Sequence, residues 1–232
     1  MKRISIVQPG AFGVAAAADS RRLEFDIGNE VLLTKHVPVD FVFIGDSITQ
    51  LWDLHTYFGA SSKVHINRGI SGDVSGHVLR RFQADVIQLN PKYVVLKIGI
   101  NNMHALDAWS ESGRKLPDAI HHEVEHDVRE MLVLASKHQI KPILCSILPV
   151  NMDYFASLSV KNELIRNLNI SLRKLAEQEG AIFVDYHSHL TTEDGTKLRD
   201  GLADDGLHPH IVGYDIMATV LRDTLQQHGI EI

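Results

Sequence analysis

Cysteine is nearly absent from this sequence: Cys145 stands alone among 232 residues. A lone cysteine excludes an internal disulfide and a cysteine-cluster metal site. A basic excess is missing too. The chain has 23 Lys+Arg against 29 Asp+Glu, a net charge of −6, so it lacks the basic face that nucleic-acid binding uses. No apolar run approaches the roughly 18 residues of a membrane-spanning helix, so no integral membrane segment is expected. No internal repeat, low-complexity tract or linker divides the chain, and its length suits one large domain over residues 1–232.

The start of the chain carries a weak secretory look. Met1-Lys2-Arg3 precedes Ile4-Ser5-Ile6-Val7, and Ala15 to Ala18 mimic a small-residue cleavage site. Gln8-Pro9-Gly10 interrupts the apolar stretch where a signal needs its hydrophobic centre. Residues 1–38 are therefore expected to be an ordinary leader packed on the domain. The missing disulfide framework suits a cytoplasmic protein.

From residue 40 the pattern alternates between two periods. Phe41-Val42-Phe43-Ile44 is a short apolar run ending at Gly45 and reads as a buried strand. The stretch Ile48 to Phe58 is expected to be helical, Val64-His65-Ile66 a strand, and 74–89 an amphipathic helix carrying Val78, Leu79, Phe82, Val86 and Leu89. Asn90-Pro91 ends it, because the residue before proline avoids the helical region. Further strands are expected at Tyr93 to Ile98, Ile143 to Ile147 and Ala181 to Val184. Helices are expected after Pro117 (Ile120, Val124, Val128, Met131, Ala135), around Leu164 to Leu175, and from Ile211 to Leu221. Strands that read as continuous apolar runs belong to parallel sheets covered on both faces. The expected fold is a three-layer α/β/α sandwich on a five-stranded parallel sheet. Asn101 to Leu116 is too long and polar for a routine connection and is a candidate functional loop.

Ligands of open α/β sheets bind at the carboxyl ends of the strands. Ser47 follows the first strand and Gly45, and precedes a helix whose N-terminus favours negative charge. Taken alone, a serine there also fits an ordinary helix cap. A weak nucleophile needs a base, and the base needs an orienting acceptor. Asp205 and His208 lie three positions apart in one loop, and Pro209 keeps His208 out of helical dihedrals. With 14 histidines in the chain, no single one is strong evidence by itself. Acyl transfer also needs donors aimed at an oxyanion. The backbone N–H groups of Ser47 and Gly72 and the side-chain amide of Asn101 can supply three. Each has a plain structural alternative: a cap, a turn glycine, a strand-ending asparagine. Their placement at successive strand ends is what gives them joint meaning.

Four ordered blocks carry a family resemblance: Gly45-Asp46-Ser47-Ile48-Thr49, Asn67-Arg68-Gly69-Ile70-Ser71-Gly72-Asp73, Gly99-Ile100-Asn101-Asn102 and Asp205-Gly206-Leu207-His208. The chain resembles the SGNH (GDSL-type) hydrolases. The stretch from Asn67 through Arg80-Arg81 to Asn102 looks most like their platelet-activating-factor acetylhydrolase branch. The resemblance implies a flavodoxin-like sheet, Ser47 as nucleophile, His208 as base, Asp205 as its partner, and Ser47, Gly72 and Asn101 as the oxyanion hole. It implies no metal and no cofactor. Two departures stand out. Isoleucine replaces the leucine of the first block, and Asn102 stands where many members have aspartate, as it does in the acetylhydrolase-like branch.

Other residues admit further readings. His122 and His126 sit at i and i+4 beside His121, a spacing that can chelate a metal, but no third ligand is placed. Asp204 and His210 are alternatives to Asp205 and His208. Asp46, His104 and Trp109 are expected to line the substrate pocket, with a loop anchor the alternative for His104 and Trp109. Trp52 is expected to pack its helix onto the core, and Cys145 to be a buried thiol. The expected function is a serine esterase for short-chain, acetyl-like esters of a small molecule, lipid or carbohydrate. An acyl-CoA thioesterase or lysophospholipase would use the same residues, and a flavodoxin-like binding module without activity is the rival from another class. A homo-oligomer is left open.

Overall fold

The computed structural model describes residues 3–152 and 157–232. Met1 and Lys2, the basic start of the signal-like leader, lie outside the described residues. Five strands form one parallel sheet: β1 (Phe41–Gly45), β2 (His65–Gly69), β3 (Tyr93–Lys97), β4 (Lys141–Cys145) and β5 (Ile182–Val184), in the order β2-β1-β3-β4-β5. This is the flavodoxin-like order. After β1 the chain steps to β2 on one side and then to β3 on the other, so the crevice of such a sheet opens above β1. The register levels the strand exits, with Gly45 opposite both Gly69 and Lys97.

Alternating strand residues feed two cores. Val42, Ile44, Val94 and Leu96 face one side. There they meet α4 (Ser75–Asp85), α5 (Pro117–Lys137) and α6 (Leu158–Gln178), through Val78, Phe82, Val124, Val128, Leu164 and Leu168. Phe41, Phe43, Val95, Ile143 and Cys145 face the other side. They pack on Ile48 of α2 (Ser47–Gln50), Leu54 and Phe58 of α3 (Leu54–Phe58), Tyr186 of α7 (Tyr186–Leu190), and Met217 and Leu221 of α8 (Ile211–Gln227). These helices bury stripes at spacings of three and four.

Two expected helices differ, and one helix was not expected. The helix expected from Ile48 to Phe58 is broken into α2 and α3. The Asp53 carboxylate takes the N–H of Thr56 at 3.2 Å and its hydroxyl at 2.6 Å, so it starts a new helix instead of continuing the old one. The helix expected over 74–89 ends at Asp85 and gives way to a 3-10 turn at Ile87–Leu89. Asn90 then takes φ +47° ahead of Pro91. The leader contains α1 (Arg22–Thr34), which the pattern did not reveal. Its inward side carries Arg22, Phe25 and Asn29, while Leu23, Ile27 and Val31 face solvent. Three of the apolar residues of this helix thus lie on its exposed side.

Gly69 marks a tight crossing at the strand exits. A methyl group there would lie 2.2 Å from the backbone nitrogen of Gln50, and backbone cannot move aside as a side-chain tip can. Gly69→Ala should therefore destabilise the fold by about 3 kcal/mol, read as a lowered urea midpoint. A midpoint equal to that of the unsubstituted protein would show that α2 is free to move off β2.

Candidate active site

Asp46 caps α2 by accepting the N–H of Ile48 at 3.0 Å. This makes Ser47 the first helical residue, with a backbone N–H that has no acceptor inside the helix. Ser47 is 6% exposed. Its Oγ lies 2.9 Å from His208 Nε2, and His208 Nδ1 lies 2.6 Å from Asp205 Oδ2. A carboxylate only accepts, so Nδ1–H donates to Asp205 and Nε2 presents its lone pair to the Ser47 hydroxyl. The other Asp205 oxygen, Oδ1, accepts the N–H groups of Leu207 at 2.9 Å and His208 at 2.8 Å. One carboxylate therefore shapes the loop and orients the imidazole. Burial would raise the Asp205 pKa, but the imidazole and these two N–H groups outweigh it and hold the carboxyl below the usual aspartate value.

The loop is pinned to the exit of β4. Gly206 takes φ +75°, and Asn151 donates its N–H to Gly206 O at 2.8 Å. A side chain on Gly206 would strike Asn151 O. Beyond it His210 caps α8, its Nδ1 accepting the N–H of Val212 at 3.2 Å. That cap is a structural place for the alternative histidine. Asp205, and not Asp204, meets His208.

Gly72 sits at φ +82° in a tight turn closed by Asp73 N–H to Ile70 O at 3.1 Å, where glycine avoids the strain of the left-handed region. Asn101, 8% exposed, donates one amide N–H to Asp73 O at 2.9 Å and keeps the second. Its neighbour Asn102 explains why asparagine serves at that position. Asn102 Oδ1 accepts the N–H of Ser75 at 3.0 Å, and its Nδ2 donates to Ser75 Oγ at 2.9 Å. Ser75 Oγ donates in turn to Asp127 at 2.6 Å. The amide needs a donor and an acceptor together, which aspartate would not supply.

Sequence reasoning missed the group beneath these loops. Arg81 is fully buried in α4. Its Nη2 donates to Gly45 O at 3.0 Å, its Nε to Asp73 at 2.7 Å and its Nη1 to Asp85 at 2.9 Å. Arg22 joins Asp85 from α1 at 2.5 Å. Arg68 donates to Asn29 at 2.6 Å, and its own burial pulls its pKa down to about 10. The available signal was an arginine on the Val78–Phe82 side of α4, four residues before Asp85.

Of the three expected pocket residues, Asp46 does not fall where it was expected. Asp46 is fully buried as a helix cap, with Lys97 Nζ 3.4 Å from both its oxygens, so it lines no substrate pocket. Trp109 is 103% exposed, so it does not anchor its loop. His104 lies at the surface of the 3-10 helix Ile100–Asp107 that opens the expected long loop. Trp52 is buried and stacks on Tyr214 with ring centroids 5.5 Å apart. Cys145 is buried, and desolvation pushes its thiol up to about 12. His121 meets Ser171 Oγ at 2.9 Å. Among the described residues no group of three His, Cys, Asp or Glu side chains is placed to hold a metal.

A parallel sheet carrying a serine, an imidazole and a carboxylate in one hydrogen-bonded line above its carboxyl edge can do acyl-transfer chemistry, and comparison with known proteins places the chain among ester-hydrolysing enzymes. Residues 43–216 match the GDSL-like lipase/acylhydrolase family, and the chain belongs to it. It is 27% identical to an acetylxylan esterase of Geobacillus stearothermophilus over 169 residues, 72% of each chain. A GDSL-like lipase from Bacteroides thetaiotaomicron superposes with a TM-score of 0.70 and 26% identity, covering 88% of this chain and 99% of that one. The structure of Axe2, an acetylxylan esterase from Geobacillus stearothermophilus, shares the fold with a TM-score of 0.65 at 21% identity, over 83% of this chain and 95% of that one.

Two predictions follow from this geometry. Arg81→Met strips a buried cation from Asp73 and Asp85 and should cost about 3–5 kcal/mol of stability, measured by chemical denaturation; a loss below about 1 kcal/mol would contradict the clamp. The depressed Asp205 pKa means its carboxylate stabilises the fold above the ordinary aspartate range, and this is lost only as pH falls through the lower folded value. Carboxyl NMR should show Asp205 titrating below that range, and His208→Ala should move it upward.

Proposed function

We propose that this enzyme is a serine esterase in which Ser47 attacks the ester carbonyl, His208 takes its proton and Asp205 holds the imidazole in the required tautomer. The observation that carries this is the continuous Ser47–His208–Asp205 contact at 2.9 and 2.6 Å. The Ser47 and Gly72 backbone N–H groups and the second N–H of Asn101 stabilise the tetrahedral oxyanion. The proton on His208 Nε2 then passes to the leaving alcohol, and the acyl group remains on Ser47 Oγ. Water gives a proton to the same nitrogen and attacks the acyl carbon; the bond to Ser47 Oγ breaks as that proton passes to Oγ, and the acid is released. Short acyl groups such as acetyl fit best, a reading supported by the likeness to an acetylxylan esterase.

Ser47→Ala should abolish turnover of p-nitrophenyl acetate and labelling by a fluorophosphonate probe while the fold persists by circular dichroism. Retained turnover would remove Ser47 from the reaction. Asn101→Ala should lower kcat by about 100- to 1,000-fold. Acetyl esters should outpace palmitoyl esters and acetyl-CoA, and the reverse order would favour a lipase or a thioesterase.

A further inference from the structure

The segment before α1 lies outside the stretch that matches the family, yet it is built against the site. Ala17 is half-buried, and its Cβ lies 3.1 Å from the position a methyl group on Gly72 would take. Several contacts hold it there. Arg21 Nη1 donates to Gly69 O at 3.0 Å. Arg80 Nη2 donates to Ala11 O at 2.7 Å, and its guanidinium sits 4.2 Å over the Phe12 ring. That ring meets His77 edge-on with centroids 5.3 Å apart. Asp19 accepts the N–H groups of Phe12 at 3.0 Å and Gly13 at 3.2 Å, closing the segment into a compact turn. Ala18 is fully buried. A stretch fixed at this many points is a wall and not a loose tail.

The sheet order says which part of a substrate would meet that wall. The His208 loop is pinned to the exit of β4, on one side of β1. Gly72 and the segment that covers it belong to the exit of β2, on the other side. The leaving alcohol must face His208 Nε2 to receive its proton. The oxyanion takes the Ser47, Gly72 and Asn101 N–H groups, so the acyl substituent leaves the carbonyl carbon opposite the alcohol, past Gly72 on the β2 side where Ala17 lies.

We infer that residues 11–21 form the acyl-side wall of the active site and that Ala17 is a specificity-determining residue that restricts the enzyme to short acyl groups. This rests on the assignment of Ser47, His208 and Asp205 proposed above. One methyl or methylene in such a wall discriminates by about 10- to 200-fold, so the identity of residue 17 sets which acyl length turns over.

The test uses the full chain with p-nitrophenyl acetate, butyrate and hexanoate as an acyl series, and acetates of several phenols as a leaving-group series. Ala17→Leu should lower kcat/KM for butyrate at least about 10-fold more than for acetate and leave the order of leaving groups unchanged. Ala17→Val should shift the same ratio in the same direction by less. Asp19→Ala, which frees Phe12 and Gly13, should raise hexanoate turnover relative to acetate. An equal change at every acyl length in both Ala17 variants, or a change confined to the leaving-group series, overturns the wall. Ser47→Ala separates the two claims. Turnover retained in that variant overturns the site assignment and the wall with it. Turnover lost there, with acyl ratios unmoved in the Ala17 variants, overturns the wall alone.

Discussion

A guanidinium with no access to solvent fixes the geometry of this protein. A buried arginine is tolerated only when its donors are satisfied and its charge is matched. Arg81 meets that demand with the carbonyl of Gly45 and the carboxylates of Asp73 and Asp85. Those partners come from the exit of β1, the loop after β2 and its own helix. Because Asp73 O receives the Asn101 amide, the exit of β3 is tied to the same cluster. The three strand ends that carry Ser47, Gly72 and Asn101 are thus held by one cation. Two buried carboxylates exceed one guanidinium, so Arg22 turns inward from α1 to share Asp85, and Asn29 turns inward to the buried Arg68.

Above that cluster the site is assembled from opposite sides of β1. The β2 side supplies Gly72, and the β3 side Asn101. The loop bearing Asp205 and His208 is pinned to the exit of β4 through Asn151 and Gly206. Level strand register makes this arrangement work, since Gly45, Gly69 and Lys97 lie at one height. Donors held in this way need no reorganisation when charge develops, which is the main contribution such groups make to catalysis. The same reasoning separates Asp46 from the chemistry. Its carboxylate caps α2 and faces Lys97, so it places Ser47 without facing the cleft.

The strands and long helices were legible because burial on two faces or one stripe leaves a direct mark on residue order. Phe41 to Gly45 and the stripe from Ile120 to Ala135 are examples, and both are buried as expected. The sheet, the layers and the glycine-marked loops followed from such marks. The α1 helix was not legible, because its inward side mixes Phe25 with Arg22 and Asn29 while its exposed side carries Leu23, Ile27 and Val31. The break at Asp53 was hidden because a carboxylate competing for Thr56 N–H looks like any polar helical residue. The exposure of Trp109 was hidden because an aromatic in a loop predicts burial only if something packs on it, and Trp109 is fully exposed.

By itself, the sequence determined the α/β class, the periodicity of the layers and the residue types stationed at each strand end. These depend on local pattern and on chemistry confined to a few neighbouring positions. Tertiary structure alone decided that His208 reaches Ser47, that Arg81 lies beneath them and that Ala17 rests on Gly72. The first two join residues 161 and 36 positions apart, His208 with Ser47 and Arg81 with Gly45. No sequence spacing encodes them, because the sheet order and the cost of burying charge select them only once the chain has closed.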